Sequence, residues 1–312
     1  MPAERQSPRL VCYGNLTIDD VVLPDGSERP GCIGGDALYA TLAARALLPK
    51  TEMIAPVGND LPEETTRRME AGGLSPRDLP ARDLPTLHNR VEYRADGSRQ
   101  WTLFASETDF ERLSPVPRDV PEAYLAADAH MILAMALSAQ EELVAYLRRE
   151  TRAVVALDPQ EDYIAGNEDR LRRMIASLDI FMPSEEEIVR LFRTRDVRKA
   201  ARDITSLGPW LAVIKLGAEG CFVYDRRSET EFALPAWPGA KVIDTTGAGD
   251  SFCGGFMASL VRDPDAVEAA ARTGAVTASI AVEGYGADRL LEASADDFRT
   301  RLDGWRDERG KG

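Results

Sequence analysis

Short apolar runs at residues 10–13, 131–137, 153–157, 180–182 and 211–216 alternate with longer stretches, at 36–48, 63–71, 139–150 and 250–261, whose apolar residues recur at helical spacing. A buried strand reads as a brief continuous run, whereas a helix packed on a sheet repeats its apolar positions every three or four residues. Alternation of the two predicts an α/β fold with a mostly parallel central sheet covered by helices, because parallel strands need a crossover between them. The alanine-rich stretch 266–282 predicts a late buried helix. A chain of 312 residues can bury one large core plus a small accessory layer.

Two stretches interrupt the alternation. Residues 20–30 carry Pro24-Asp-Gly26 in a polar run, and residues 88–104 carry Arg94-Ala-Asp-Gly-Ser-Arg99 between alternating segments. Asp96-Gly97 is a hairpin signal, because both residues tolerate the left-handed backbone that a two-residue turn requires. Val91 and Tyr93 then face one way and Arg90, Glu92 and Arg94 the other, while Trp101 and Leu103 give the returning strand an apolar side. Such ribbons have little core of their own. They suit a β lid, formed by 20–33 and 88–104, over the C-terminal edge of the sheet where open α/β sheets bind ligands. They would equally serve as plain surface hairpins.

The chemistry concentrates in Asp244-Thr-Thr-Gly-Ala-Gly-Asp250, which leads into an apolar helix. Gly247, Ala248 and Gly249 have almost no side chain, so their N–H groups can converge on an anion, helped by the donors and positive dipole end of the helix that follows. Asp250 would repel that anion, and so needs its own reason to be there. General-base attack on a substrate hydroxyl supplies one; capping the helix supplies a plainer one.

A net charge of −14 argues against nucleic acid or an anionic membrane surface as the main partner. The four cysteines, Cys12, Cys32, Cys221 and Cys253, lie scattered without metal-ligand spacing, which fits a reducing, cytoplasmic setting. No apolar run is long enough to span a bilayer. Neither the G-x-x-x-x-G-K-[ST] loop of P-loop enzymes nor a G-x-G-x-x-G turn after the first strand is found.

Taken with its companions, the 244–250 motif resembles the C-terminal signature of the ribokinase-like, or PfkB, sugar kinases. In family order come Gly14 and Asp19 after the first strand, Gly34-Gly35 before a helix, Val57-Gly-Asn-Asp60, Leu157-Asp-Pro159 and Lys215-Leu-Gly217-Ala-Glu-Gly220. The resemblance implies a three-layer ribokinase-like domain over 9–302 and ATP-dependent phosphorylation of an alcohol group on a sugar or sugar-like substrate. Asp250 would be the base, and Gly247, Ala248 and Gly249 the anion donors. Asp19, Gly34, Gly35 and Tyr39 would meet the substrate, and Lys215, Gly217, Gly220 and Thr246 the nucleotide. Asp244, with Thr246, matches positions that in the family often bind K+, and the lid in many relatives mediates a homodimer. Asp and Thr there would also pin the turn through side-chain to backbone hydrogen bonds.

Three positions depart from the family pattern. Ser184-Glu-Glu-Glu187 stands where N-x-x-E is usual, so Glu187 is expected near the water shell of Mg2+ and also forms an S-x-x-E capping box with Ser184. Gln160 replaces a common Asn. Tyr39 replaces the Asn of G-G-x-x-x-N, offering one hydroxyl and a flat face in place of an amide, or else packing as core. Arg90, deeper in its strand than Arg94 or Arg99, is the one lid arginine expected to meet a substrate carboxylate or phosphate. His88 and His130 are expected to be structural. Two functional alternatives stand beside the sugar kinase: a nucleoside or polyol kinase of the same family, and a non-catalytic sensor on the same fold.

Overall fold

The alternation of apolar runs and helical stretches folds as a sheet covered on both faces. A computed structural model describes residues 7–94 and 99–309. Its strands are β1 (Leu10–Tyr13), β2 (Thr17–Val22), β3 (Glu28–Gly34), β4 (Thr51–Ile54), β5 (Leu87–Tyr93), β6 (Arg99–Leu103), β7 (Ala129–Ile132), β8 (Val154–Leu157), β9 (Ile180–Phe181), β10 (Leu211–Lys215), β11 (Cys221–Asp225) and β12 (Thr230–Leu234). The helices are α1 (Asp36–Arg45), α2 (Glu63–Ala71), α3 (Glu107–Arg112), α4 (Leu137–Glu150), α5 (Glu168–Ile175), α6 (Glu185–Phe192), α7 (Val197–Leu207), α8 (Ala248–Arg262), α9 (Val267–Ala281), α10 (Asp288–Glu292) and α11 (Ala295–Arg309).

Eight strands pair in the order β12-β11-β10-β9-β8-β7-β1-β4, parallel from β10 to β4 and antiparallel at the β10-β11-β12 edge. Successive side chains of a strand point to opposite faces, and β1 shows the consequence. Leu10 and Cys12 join the core under α1, α8 and α9, whereas Val11 and Tyr13 join the core under α4 to α7. All four are fully buried, which is why this strand reads as a continuous apolar run and not an alternating one.

Most expected elements appear within a few residues, with one overextension. The run 131–137 is not one strand: β7 ends at Ile132 and α4 starts at Leu137. Leu133 and Met135 between them are fully buried in the connection, so burial and not strand geometry explains their apolar character.

The remaining strands form a second sheet in the order β3-β2-β5-β6. The central β2–β5 pair is parallel and joins two segments far apart in the chain, while β3 and β6 add antiparallel at either side. In this register Leu103 stands opposite Asn89 and Trp101 opposite Val91, so these residues share one face. The expected Asp96-Gly97 turn lies outside the described residues. Histidine behaves as expected at 130, where the ring is fully buried and Nδ1 meets the Tyr13 hydroxyl at 2.8 Å.

Candidate active site

Strand β1 ends at Tyr13 and β2 begins at Thr17, so Asn15, Thr17 and Asp19 stand where the large sheet passes into the small one. Asp19 is buried, and its Oδ1 accepts a hydrogen bond from Asn89 Nδ2 at 2.8 Å. Burial pushes its carboxyl up to about 6, with the Asn89 hydrogen bond opposing the shift. The glycine pair makes this arrangement possible. A Cβ on Gly34 would lie 2.3 Å from Asp19 Oδ2, and one on Gly35, whose φ is 104°, would lie 2.4 Å from the Asn15 carbonyl oxygen.

The start of α8 lines the same cavity. Gly247 caps the helix at φ 72°, and a Cβ there would fall 2.3 Å from the Tyr39 ring. The phenol therefore lies against the turn, as packed core, yet its hydroxyl is buried without a hydrogen-bond partner among the described residues, and so is Asn15 Oδ1. Ala248 N–H already donates within the turn, to Thr245 O at 3.3 Å. Asp250 is half-buried and faces the cavity. Its carboxyl is raised to about 7, first by burial and then by the nearby Asp158, with Lys215 opposing. Asp36, first residue of α1, also lines the cavity, and its carboxyl is pushed well above the usual range by burial and then by Asp250.

Asp244 and Thr246 pin the turn. Thr246 N–H donates to Asp244 Oδ1 at 2.8 Å, and Asp244 is buried. The Tyr93 hydroxyl, from β5 of the small sheet, donates to the same Asp244 oxygen and approaches Thr246 Oγ1 at 3.3 Å. Tyr93 thus joins the small sheet to the Gly247 turn, a contact that no local motif announces.

Behind the turn, Lys215 forms an ion pair with Asp158, which is buried and also receives Cys253 Sγ at 3.5 Å. Lys215 Nζ would be 3.4 Å from a Cβ on Gly249, so it lies alongside the turn. Glu187 completes the capping box: Ser184 N–H donates to Glu187 Oε2 at 2.6 Å, and Glu187 N–H to Ser184 Oγ at 3.3 Å. Glu187 is raised to about 8, first by burial and then by Asp158, with Lys215 opposing. Asp158 Oδ1 is buried and has no hydrogen-bond partner among the described residues, and Glu187 is a second carboxylate nearby; oxygens of this kind are what a hard cation takes.

The remaining expectations fare unevenly. Gly217 and Gly220 form the β10–β11 turn, where a Cβ on Gly220 would lie 2.0 Å from Leu234 O, so backbone packing alone accounts for that glycine. Arg90 needs correction. It is on the opposite face of β5 from Leu87 and Asn89, which line the cavity, and it pairs with Glu28 and Glu92 at 3.0 Å each. The period of two that places Asn89 inward turns Arg90 outward.

The cavity measures about 730 Å³. One part of its wall is polar and holds Asn15, Thr17, Asp19 and Asn89, beside Gly247 and Asp250. Another is aromatic and apolar, with Trp101 and Leu103 from β6, and Phe110 and Tyr163, whose ring centroids are 6.5 Å apart. None of the described lining residues is a lysine or arginine. The sequence does not announce Asn89, Phe110 and Tyr163, which come from separate elements and share no spacing, and it shows Trp101 only as part of the apolar side of its strand.

A two-sheet α/β fold with a carboxylate at a glycine turn defines a class, that of the ribokinase-like kinases. Residues 9–293 match the pfkB family of carbohydrate kinases, and the chain belongs to that family. It is 30% identical over 259 residues to the cytidine kinase of Thermococcus kodakarensis, covering 81% of this chain and 88% of the relative. Its fold is similar to that of a ribokinase from Giardia lamblia, with a TM-score of 0.79 at 19% identity over 94% of this chain and 99% of the other. It is also similar to the Arabidopsis thaliana ribokinase complexed with ribose and ATP, with a TM-score of 0.74 at 21% identity over 95% and 99%. The protein is accordingly a kinase of the sugar and nucleoside type.

Proposed function

We propose that the chain is an ATP-dependent nucleoside kinase that phosphorylates the primary hydroxyl of the ribose, with Asp250 as general base. The observation that carries this reading is the composition of the cavity. A free sugar needs polar partners around most of its rim, whereas here a hydroxyl-binding group, Asp19 with Asn89 and Asn15, adjoins an aromatic wall suited to stacking a planar base. The absence of lysine and arginine among the described lining residues disfavours a phosphorylated or acidic sugar. A relative named as a cytidine kinase points the same way.

In this reading Asp250 takes the proton of the attacking hydroxyl while that oxygen forms its bond to the γ-phosphorus and the bond to ADP breaks. The N-terminal donors of α8 at Gly247 and Gly249 steady the phosphoryl group in transit. Lys215, beside the turn, would offset phosphate charge. Mg2+ is required by the reaction class and fits Asp158 and Glu187, where it would neutralise charge on the phosphates. Asp244 and Thr246 hold the turn in shape, and K+ at that place would share the Asp244 carboxylate with Tyr93.

The test is ATP consumption with Mg2+ across nucleosides, free ribose, other sugars and polyols. Nucleosides are expected to give 5′-phosphates with the highest kcat/KM. Turnover confined to free sugars or polyols overturns the nucleoside assignment, and ligand binding without any turnover would make the chain a sensor instead.

A further inference from the structure

The acceptor cavity carries more negative charge than the phosphoryl transfer uses. Asp19 and Asp250 have parts in that chemistry and Asp36 stands beside Asp250, but Glu107, Glu161 and Asp162 line the cavity next to the aromatic wall. Glu161 is neutralised by Arg190 at 2.5 Å. Glu107 and Asp162 meet no lysine or arginine among the described residues. Glu107 Oε1 accepts the hydroxyl of Tyr163, and Asp162 Oδ2 accepts Gln160 Nε2 at 3.2 Å. Because Tyr163 is itself part of the wall, its hydrogen bond fixes one of these carboxylates at the edge of the stacking surface.

A carboxylate at neutral pH can only accept hydrogen bonds. A base stacked on Tyr163 and Phe110 turns its edge toward such groups, and that edge is favoured if it carries N–H donors and penalised if it carries a carbonyl oxygen. Tyr39 and Asn15 line the same cavity, and each holds a buried polar atom, the Tyr39 hydroxyl and Asn15 Oδ1, that has no hydrogen-bond partner among the described residues, as in a cavity built for a ligand with polar atoms.

We infer that Glu107 and Asp162 select nucleosides whose base bears an exocyclic amino group, cytidine and adenosine, over their oxo counterparts uridine and inosine. The inference rests on the nucleoside reading above and deepens it. Acidic side chains pairing with the amino group of cytosine are a recurrent mode of base recognition, and one good pairing discriminates by about tenfold or more. Arg90, on the other face of its strand, is unavailable to reverse the sign of this wall.

The experiment measures kcat/KM of the purified chain with ATP and Mg2+ for the two matched pairs, cytidine against uridine and adenosine against inosine. It is repeated with Glu107→Gln, Asp162→Asn and the double variant. The wild-type chain is expected to favour the amino member of at least one pair by about tenfold or more. The double variant should bring that ratio close to one, chiefly by losing kcat/KM for the amino member. Equal rates within both pairs, or a preference that survives in the double variant, overturn the inference while leaving the nucleoside reading intact, since Glu107 and Asp162 are then a solvated rim. Preference for an amino sugar over every nucleoside, or turnover of free sugars alone, overturns both. Glu107 and Asp162 are exposed, so the variants are expected to fold, and unchanged melting temperatures check this.

Discussion

Asp250 combines a place in the cavity with a carboxyl whose affinity for protons lies near neutrality, the condition under which a general base is most effective. Replacing it by Asn keeps the shape and removes the proton acceptor. We expect Asp250→Asn to lower kcat by about 10²–10⁴-fold while nucleotide affinity, measured by calorimetry, changes little. In the unsubstituted chain kcat/KM should rise with pH through about 7, because the base works only once ionised and its carboxyl is held up at about 7. A profile already flat from pH 5 to 8 would remove Asp250 from that role. The carboxylate and its three small neighbours were legible in the sequence because a helix start is a local structure, readable from contiguous residues. Arg90 was misjudged for the same reason that Asn89 was missed: adjacent residues of one strand point to opposite faces, and only the register of β5 on β2 reveals which face is inward.

At the scale of elements, the side chain of Tyr93 ties the small sheet to the Gly247 turn. Tyr93 belongs to β5, which also carries Asn89 into the cavity, and its hydroxyl ends on Asp244 just before the turn. Motion of this sheet relative to α8 would therefore break a hydrogen bond to a buried carboxylate. Tyr93→Phe is expected to raise KM for the acceptor by about tenfold, the scale of one hydrogen bond to a charged group, with a smaller change in KM for ATP. Equal effects on both substrates, or none, would show that the contact does not couple sheet and turn. Helices were the most legible elements: α2 and α8 occupy the stretches expected at 63–71 and 250–261 to within two residues. The strand expected to reach residue 137 was not, because a buried connection and a buried strand present the same apolar residues. The aromatic wall was least legible, being assembled from β6, α3 and the segment after β8.

For the whole molecule, the clustered acids make stability depend on pH in a definite direction. Asp19, Asp250 and Glu187 have carboxyls raised to about 6, 7 and 8, so between the ordinary carboxylate range and pH 8 the folded chain binds more protons than the unfolded one. Stability must then fall as pH rises through that window. His130, lowered to about 4 by burial, acts in the opposite sense below its ordinary range, but it is one group against these three and Asp36, whose carboxyl is also raised. Melting temperature is expected to drop from pH 5.5 to pH 8, and Mg2+ should recover part of the loss if Asp158 and Glu187 hold it. A midpoint that climbs over this interval would contradict the burial of these acids. The small sheet carries a different consequence. Its inner pair, β2 and β5, comes from segments separated by α1, β4 and α2, and each outer strand leans on one of them. Neither hairpin can be transplanted alone, so any attempt to exchange acceptor preference with a relative must graft both inserts together, as a matched set.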